Sequence, residues 1–172
     1  MLNDRIITAE SADLKAIGRM YDGAFPSAER VPFFLLKRGI SAENILHGYY
    51  LDGKLVGMSY VFLNDDIAYL GYFCVAKRYR RKGYGTQILH MIMDGYPDHR
   101  IAVDIERILP QAANLEERVK RKNFYLANGF EECHVYYSYA GVHYEILAHN
   151  GLLNQQDWNK AIGQLRKLII GR

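Results

Sequence analysis

The sequence predicts an α/β (α+β) fold: a mixed, mostly antiparallel central sheet flanked by helices, with an extra helix at the C-terminal end. Three observations carry this. Two apolar runs, Ile45 to Leu51 and Lys54 to Phe62, are joined by the hairpin signal Asp52-Gly53, and Asn64-Asp65-Asp66 turns the chain into a third run, Ala68 to Val75. That third run passes through a basic, glycine-containing turn into a segment with apolar residues at helical spacing, then into Arg100 to Glu106, a strand-helix-strand unit whose two strands should lie parallel by a right-handed crossover. Near the end of the chain, Trp158, Ala161/Ile162, Leu165 and Leu168/Ile169 recur at the spacing of an amphipathic helix. An antiparallel meander that feeds a parallel crossover suits a sheet with helices on its faces.

In chain order, Arg5-Ile6-Ile7-Thr8 reads as a first strand. Ser11 is placed to cap a helix whose buried stripe is Leu14, Ile17 and Tyr21, closed by Asp22-Gly23. Pro26-Ser27-Ala28-Glu29-Arg30 is a loop or the start of another helix, and Val31 to Leu36 is short and apolar. The three meander strands follow. Thr86, Ile88, Leu89, Ile92 and Met93 mark the next helix, stopped at Asp94-Gly95-Tyr96-Pro97-Asp98. After Arg100 to Glu106, Pro110 breaks the chain, and Leu115 to Asn128 is a helix with a basic face and Gly129 at its C-terminal cap position. Phe130 to Tyr139 and Val142 to His149 are two last strands around Ala140-Gly141. Residues 1–150 read as one domain, and 151–172 as an amphipathic helix packed on it or at a dimer contact.

At 172 residues and 49% apolar composition, the chain is long enough for one well-buried core. A net charge of +3 does not point to nucleic acid. The two cysteines, Cys74 and Cys133, fall in expected strands and favour a reducing compartment. The first residues lack the long apolar run of a signal peptide, and no run approaches a membrane span, so the expectation is a cytoplasmic protein without membrane or nucleic-acid partners. Six scattered histidines without metal-ligand spacing predict no metal.

The turn Ala76 to Gly85 holds Arg80-Arg81-Lys82-Gly83-Tyr84-Gly85 at the mouth of a helix. Glycines there let backbone N–H groups turn toward a ligand, the helix amino end adds partial positive charge, and the basic side chains add full charges, which together make a phosphate cradle. With Val75 before it and a helix after it, this stretch resembles the acetyl-CoA signature of the GNAT (Gcn5-related N-acetyltransferase) superfamily. Asn123-Phe124-Tyr125-Leu126-Ala127-Asn128-Gly129-Phe130 is similar to a second family motif at the close of the fourth helix. Together with the surrounding strands the resemblance covers about Glu43 to Tyr144.

The resemblance implies the GNAT fold and an acetyl-CoA-dependent N-acetyltransferase that moves an acetyl group to a primary amine of a small molecule or peptide. It implies that Arg80, Arg81, Lys82, Gly83, Tyr84, Gly85 and Thr86 hold the pyrophosphate, any of the three basic side chains reaching the 3′-phosphate instead. It also implies that Phe73, Cys74 and Val75 lie along the pantetheine and thioester, on a bulged strand that splays from its parallel neighbour, with a backbone N–H at Phe73 or Cys74 polarising the thioester carbonyl. Tyr125, four residues before Gly129, matches the family's general acid for the leaving thiolate. Glu106, at the carboxyl end of its strand, is the preferred general base, with Asp104 on the same face a weaker candidate; the bland alternative for Glu106 is a surface carboxylate paired with Arg107 or Arg100. Where the family commonly places an asparagine contact to CoA, this chain has Arg118, with Asn114 further back.

Several readings stay open on sequence alone. Cys74 is a small strand residue or, less simply, an acyl-carrying thiol. Phe25, Phe33 and Phe34 line a pocket or pack a core. Among the fourteen tyrosines, Tyr49, Tyr50, Tyr60, Tyr72, Tyr136, Tyr137 and Tyr139 fall in expected strands, and one set of them lines the acceptor cleft or merely follows β-propensity. The same fold without catalysis would be an acyl-CoA-binding sensor, and the basic segments with tyrosine stacking would suit single-stranded RNA. The chain is expected to be a monomer or homodimer.

Overall fold

The computed structural model describes residues 1–27 and 30–170. Ala28 and Glu29, inside the expected loop or helix start, and Gly171 and Arg172 at the end of the chain lie outside the described residues. The elements run β1 (Leu2–Ile7), α1 (Leu14–Ala24), α2 (Phe33–Arg38), β2 (Asn44–Leu51), β3 (Lys54–Asn64), β4 (Ile67–Val75), α3 (Tyr84–Gly95), β5 (Arg100–Glu106), α4 (Leu115–Ala127), β6 (Glu131–Tyr139), β7 (Val142–His149), α5 (Gln155–Ala161) and α6 (Gly163–Ile170). One seven-stranded sheet has the order β1-β2-β3-β4-β5-β7-β6. Its strand pairs are antiparallel except β4 with β5, which is parallel, the mixed and mostly antiparallel sheet expected.

The sheet separates two apolar clusters. On one face α1, α2 and the C-terminal helices cover residues such as Tyr60, Phe62, Tyr69 and Trp158, and on the other α3 and α4 cover Val61, Leu70, Val103 and Ile105. Period-two alternation along β3, β4 and β5 divides these side chains between the faces, so one strand serves both clusters. Helical spacing does the same work in α1, where Leu14, Ile17 and Tyr21 are buried, and in α3, where Ile88, Leu89 and Ile92 are.

Two local expectations are corrected. Helix α1 begins at Leu14 with Asp13 at its amino end, not with Ser11 as the cap. The Ser11 hydroxyl instead accepts from the Thr8 N–H at 2.9 Å, closing a turn between β1 and the helix, the local competition that serine side chains offer to helix capping. The C-terminal segment is two helices rather than one. Asn154 caps α5 through a reciprocal capping box with Asp157, and the helical run is interrupted at Ile162 before the poor helix former Gly163. Trp158 is 1% exposed and packs edge-on against Tyr69 and tilted against Tyr137. Arg100 fastens this segment further, donating to Asp66, Asp157 and the Leu152 carbonyl.

Candidate functional site

The pairing of β4 with β5 is short. Ile67, Ala68 and Tyr69 pair with Arg100, Ile101 and Ala102, and the ladder then stops. Beyond it, Leu70 to Val75 stay paired to β3 on one side only, while β5 continues beside β7. The cause lies on the other edge of β4. The register against β3 shifts between Tyr60 and Val61, which pair with Tyr72 and Leu70, leaving Gly71 as the extra residue of a bulge. A bulge bends its strand. Gly71 is suited to that place because a Cβ there would come within 2.7 Å of the Phe62 ring.

The parted strands open a cavity of about 760 Å³. Its β4 wall includes Phe73, Cys74 and Val75, its β5 wall Asp104, Ile105 and Glu106, and Arg80, Gly85 and Tyr125 also reach it. Arg81, Lys82, Gly83, Tyr84 and Thr86 stand outside the cavity wall, in the turn that leads to α3. In that turn Arg81 and Gly83 both adopt left-handed backbone, with φ of 59° and 78°. Each positive φ redirects the N–H groups on either side of it, and Gly83 adopts one without the Cβ strain that Arg81 bears. Helix α3 has no side-chain cap, so its first N–H groups have no acceptor from its own cap residue. This arrangement fits a phosphate-bearing ligand: free donors, a helix amino end and flanking cations. The Arg80 Nε donates to the Val75 carbonyl at 2.8 Å, which ties the turn to the end of β4.

Glu106 and Asp104 have opposite environments. Glu106 accepts from Arg121 Nη1 at 2.7 Å, pairs with Arg118 Nη2 at 2.9 Å and receives Asn114 Nδ2 on both oxygens. Burial alone would raise its carboxyl, but the Arg121 and Asn114 hydrogen bonds and the two arginine charges outweigh burial and hold it below the usual range. Its partners are thus Arg118 and Arg121 rather than Arg107 or Arg100. Arg118 is spent on this pair and on the Arg107 carbonyl, so the residue standing at the family's asparagine position braces β5 instead. Asp104 is held by neutral donors, the Tyr69 hydroxyl at 2.9 Å and the Tyr137 hydroxyl at 2.5 Å. Burial raises its carboxyl, against the opposing effect of those hydrogen bonds. Its remaining exposure is to the cavity.

Tyr125 is 8% exposed and wedged edge-on between Phe124 and Phe130. Burial pushes its phenol above the ordinary value, with the Arg121 charge pulling the other way, so the hydroxyl stays protonated at neutral pH. Cys74 is pushed up to about 12 by burial, which keeps it a thiol and weakens it as a nucleophile.

The opposite end of the cavity is lined by Phe25, Pro26 and Val31 from between α1 and α2 and by residues of β6, β7 and α6, with Tyr72, Tyr137, Tyr139 and Tyr144 in its wall. Val31 is clamped there: its N–H donates to the Tyr72 hydroxyl and its carbonyl accepts from the Tyr21 hydroxyl. Of the phenylalanines, Phe25 lines the cavity, Phe33 packs beneath it on Tyr21, and Phe34 is exposed. Tyr49, Tyr50 and Tyr60 are core residues and Tyr136 is surface. Tyr69 and Tyr144 belong to the cavity wall and were not marked by the sequence. Asp104 was marked only by alternation with Glu106, since the tyrosines that hold it lie 33 and 35 residues away. Among the described residues no group of three or more His, Cys, Asp or Glu side chains is arranged to hold a metal ion, and no helix is long and apolar enough to cross a membrane.

Residues 42–132 match the family model described as an acetyltransferase (GNAT) domain. The whole fold is similar to that of a Bacteroides thetaiotaomicron protein described as an acetyltransferase of the GNAT family, with 19% identity, a TM-score of 0.80 and 99% of each chain covered. It is similar to the ribosomal-protein-S18-alanine N-acetyltransferase of Escherichia coli, with 17% identity, a TM-score of 0.65, and 91% of this chain and 98% of that one covered. A GNAT family acetyltransferase from Elizabethkingia anophelis, solved with acetyl-CoA bound, aligns with 11% identity, a TM-score of 0.59, and 86% and 97% coverage. No curated protein sequence matches the chain.

Proposed function

The chain belongs to the GNAT acetyltransferase family, and from that premise we propose that it moves an acetyl group from acetyl-CoA to a primary amine by direct attack. The observation that carries the reading is the gap between β4 and β5, where an unpaired strand edge, a phenol and a buried carboxylate face one cavity beside a phosphate-type turn. Acetyl-CoA supplies the activated acyl group as a thioester.

The chain's residues take four roles. The N–H groups of Arg81 to Thr86 hold the pyrophosphate, with the Arg81 and Lys82 charges beside them. The open edge of β4 at Phe73, Cys74 and Val75 offers main-chain groups to an extended arm, as an added strand would use them, and its N–H donors stabilise negative charge on the carbonyl oxygen. The Tyr125 hydroxyl delivers its proton to the departing sulfur. Asp104 takes the amine proton. Glu106 was the sequence-based choice for that last role. Two arginines and an asparagine already engage it, and its depressed pKa makes it a weak base, so it is better suited to fixing Arg121 and the start of α4. Asp104 has a raised pKa, lone pairs left over from its two tyrosine donors, and a position in the cavity wall.

Calorimetric titration with acetyl-CoA, desulfo-CoA and 3′-dephospho-CoA tests the reading. Micromolar binding of acetyl-CoA, weakened without the 3′-phosphate, together with thiol release in the presence of an amine is the expected result. Acetyl-CoA binding without thiol release for any amine would leave a sensor of the same fold, and no binding would overturn both.

A further inference from the structure

We propose that the acceptor is a monoamine carried on an aromatic or apolar body, of the arylalkylamine class, rather than a polyamine or a lysine-rich peptide; this rests on the acetyl-transfer reading and deepens it.

The argument starts from what the acceptor end presents. Phe25 and Tyr72 meet edge-to-face with centroids 5.2 Å apart, and Tyr137 and Tyr144 stack at 5.0 Å. The Tyr69 and Tyr137 hydroxyls donate to Asp104, and the Tyr72 hydroxyl accepts from the Val31 N–H. With those polar tips engaged, these three tyrosines offer the cavity chiefly ring carbon. Leu165 and Ile169 of α6 extend the apolar wall. A flat or apolar body buries its surface against such walls, and the ring faces also favour an ammonium ion that approaches them.

Charge then limits the number of ammonium groups. Among the described residues, the cavity wall holds three carboxylates, Asp104, Glu106 and Glu117, against three guanidinium groups, Arg80, Arg121 and Arg166. Glu106 is already neutralised by Arg118 and Arg121, and Glu117 is exposed on the first turn of α4, the helix that packs with α3 on the sheet face opposite α6. Asp104 therefore stands as the one carboxylate at the acceptor end among the described residues that is held only by neutral donors. One ammonium is matched there. A second would find no comparable partner among the described residues and would meet Arg166 on the α6 side, which forms no ion pair with any described residue. The cavity's 760 Å³ must hold the acyl arm as well, which leaves room for a small acceptor.

The test is a thiol-release assay on the full chain at fixed saturating acetyl-CoA, comparing 2-phenylethylamine and tyramine with spermidine and a lysine-containing hydrophilic peptide, alongside calorimetric titration of acetyl-CoA. The expected result is a kcat/KM for the arylalkylamines about tenfold or more above that for spermidine and the peptide. Arg166→Glu should narrow that ratio severalfold by removing the repulsion. Equal or better turnover of spermidine or the peptide would overturn the proposal, as would acetyl-CoA binding with no turnover of either arylalkylamine. Absence of acetyl-CoA binding and of thiol release with every amine would instead overturn the acetyl-transfer reading, and the acceptor class with it.

Discussion

The two ends of the cavity are built by different means. The end beside α3 leads along β4 into the turn after it, one contiguous stretch of main chain that presents N–H groups. The end beneath α1 and α6 is made of side chains drawn from β4, β5, β6, β7 and the helices, and it presents aromatic rings and the Asp104 carboxylate. Main chain is the same for every residue type, so the first end depends on φ, ψ and register. Side chains have to be held in place by their neighbours, so the second end depends on packing far from the chemistry. The first should resist most side-chain substitutions and yield to backbone ones, and the second should do the reverse.

Four experiments sharpen or break that contrast. The largest effect is expected from Trp158→Ala, in a fully buried residue that supports both Tyr69 and Tyr137. Truncating a buried tryptophan costs about 3–5 kcal/mol, measured by urea denaturation. In whatever folded protein remains, acceptor KM should rise while acetyl-CoA affinity holds. Unchanged stability would mean that the acceptor end does not lean on α5. Tyr125→Phe comes next: kcat should fall by ~10²-fold with acetyl-CoA affinity within twofold of the parent, as removal of a general acid predicts. Full turnover in a steady-state assay would remove Tyr125 from the mechanism.

Gly83→Val tests the main-chain end. A β-branched residue at φ of 78° is strained by roughly 1–2 kcal/mol or more, so acetyl-CoA affinity should weaken by about tenfold while a competitive acceptor analogue binds as before. Normal acetyl-CoA affinity by calorimetry would sink the cradle assignment. The smallest effect is a displacement along the pH axis. A base must be deprotonated, so kcat/KM falls as pH drops through the base's pKa. If Asp104 is the base, the acid limb lies above the ordinary aspartate value, because burial raises that carboxyl. If Glu106 is, the limb lies below the ordinary glutamate value, because its arginine and asparagine partners hold it down. A limb that disappears in Asp104→Asn but survives in Glu106→Gln would settle the choice between them.

The same contrast explains what could be read from the residues alone. The meander, the crossover strand and the basic turn follow local patterns: alternation, a hairpin dipeptide, glycines at a helix mouth. Those patterns are short in sequence and were legible. A bulge on β4 was expected only through the family resemblance, and its place at Gly71 was not, because its cause is the pairing of β4 with β3 and not any property of one segment. The pair of carboxylates on β5 was legible as a pair, but not which of them is neutralised. That depends on Arg118 and Arg121 from α4 reaching Glu106, and on Tyr69 and Tyr137 from two other strands reaching Asp104. The basic face of α4 illustrates the same limit. Read as a run of cations it suggests a surface for an anionic polymer, yet Lys122 is committed to Glu132 and Glu145, and Lys120 to Glu116.

The short ladder between β4 and β5 has a further consequence. A row of unpaired main-chain donors and acceptors is the feature that makes the rim of a sheet recruit other proteins, and folded chains normally blunt it with charge, bends or covering segments. Here such a row stands in the middle of the sheet, four strands from one rim and three from the other. The strands on both sides of it are themselves paired to further strands, so the row belongs to the interior of the sheet and not to its rim. An outer rim is open along its whole length, whereas this row can be paired only by a molecule that enters between β4 and β5.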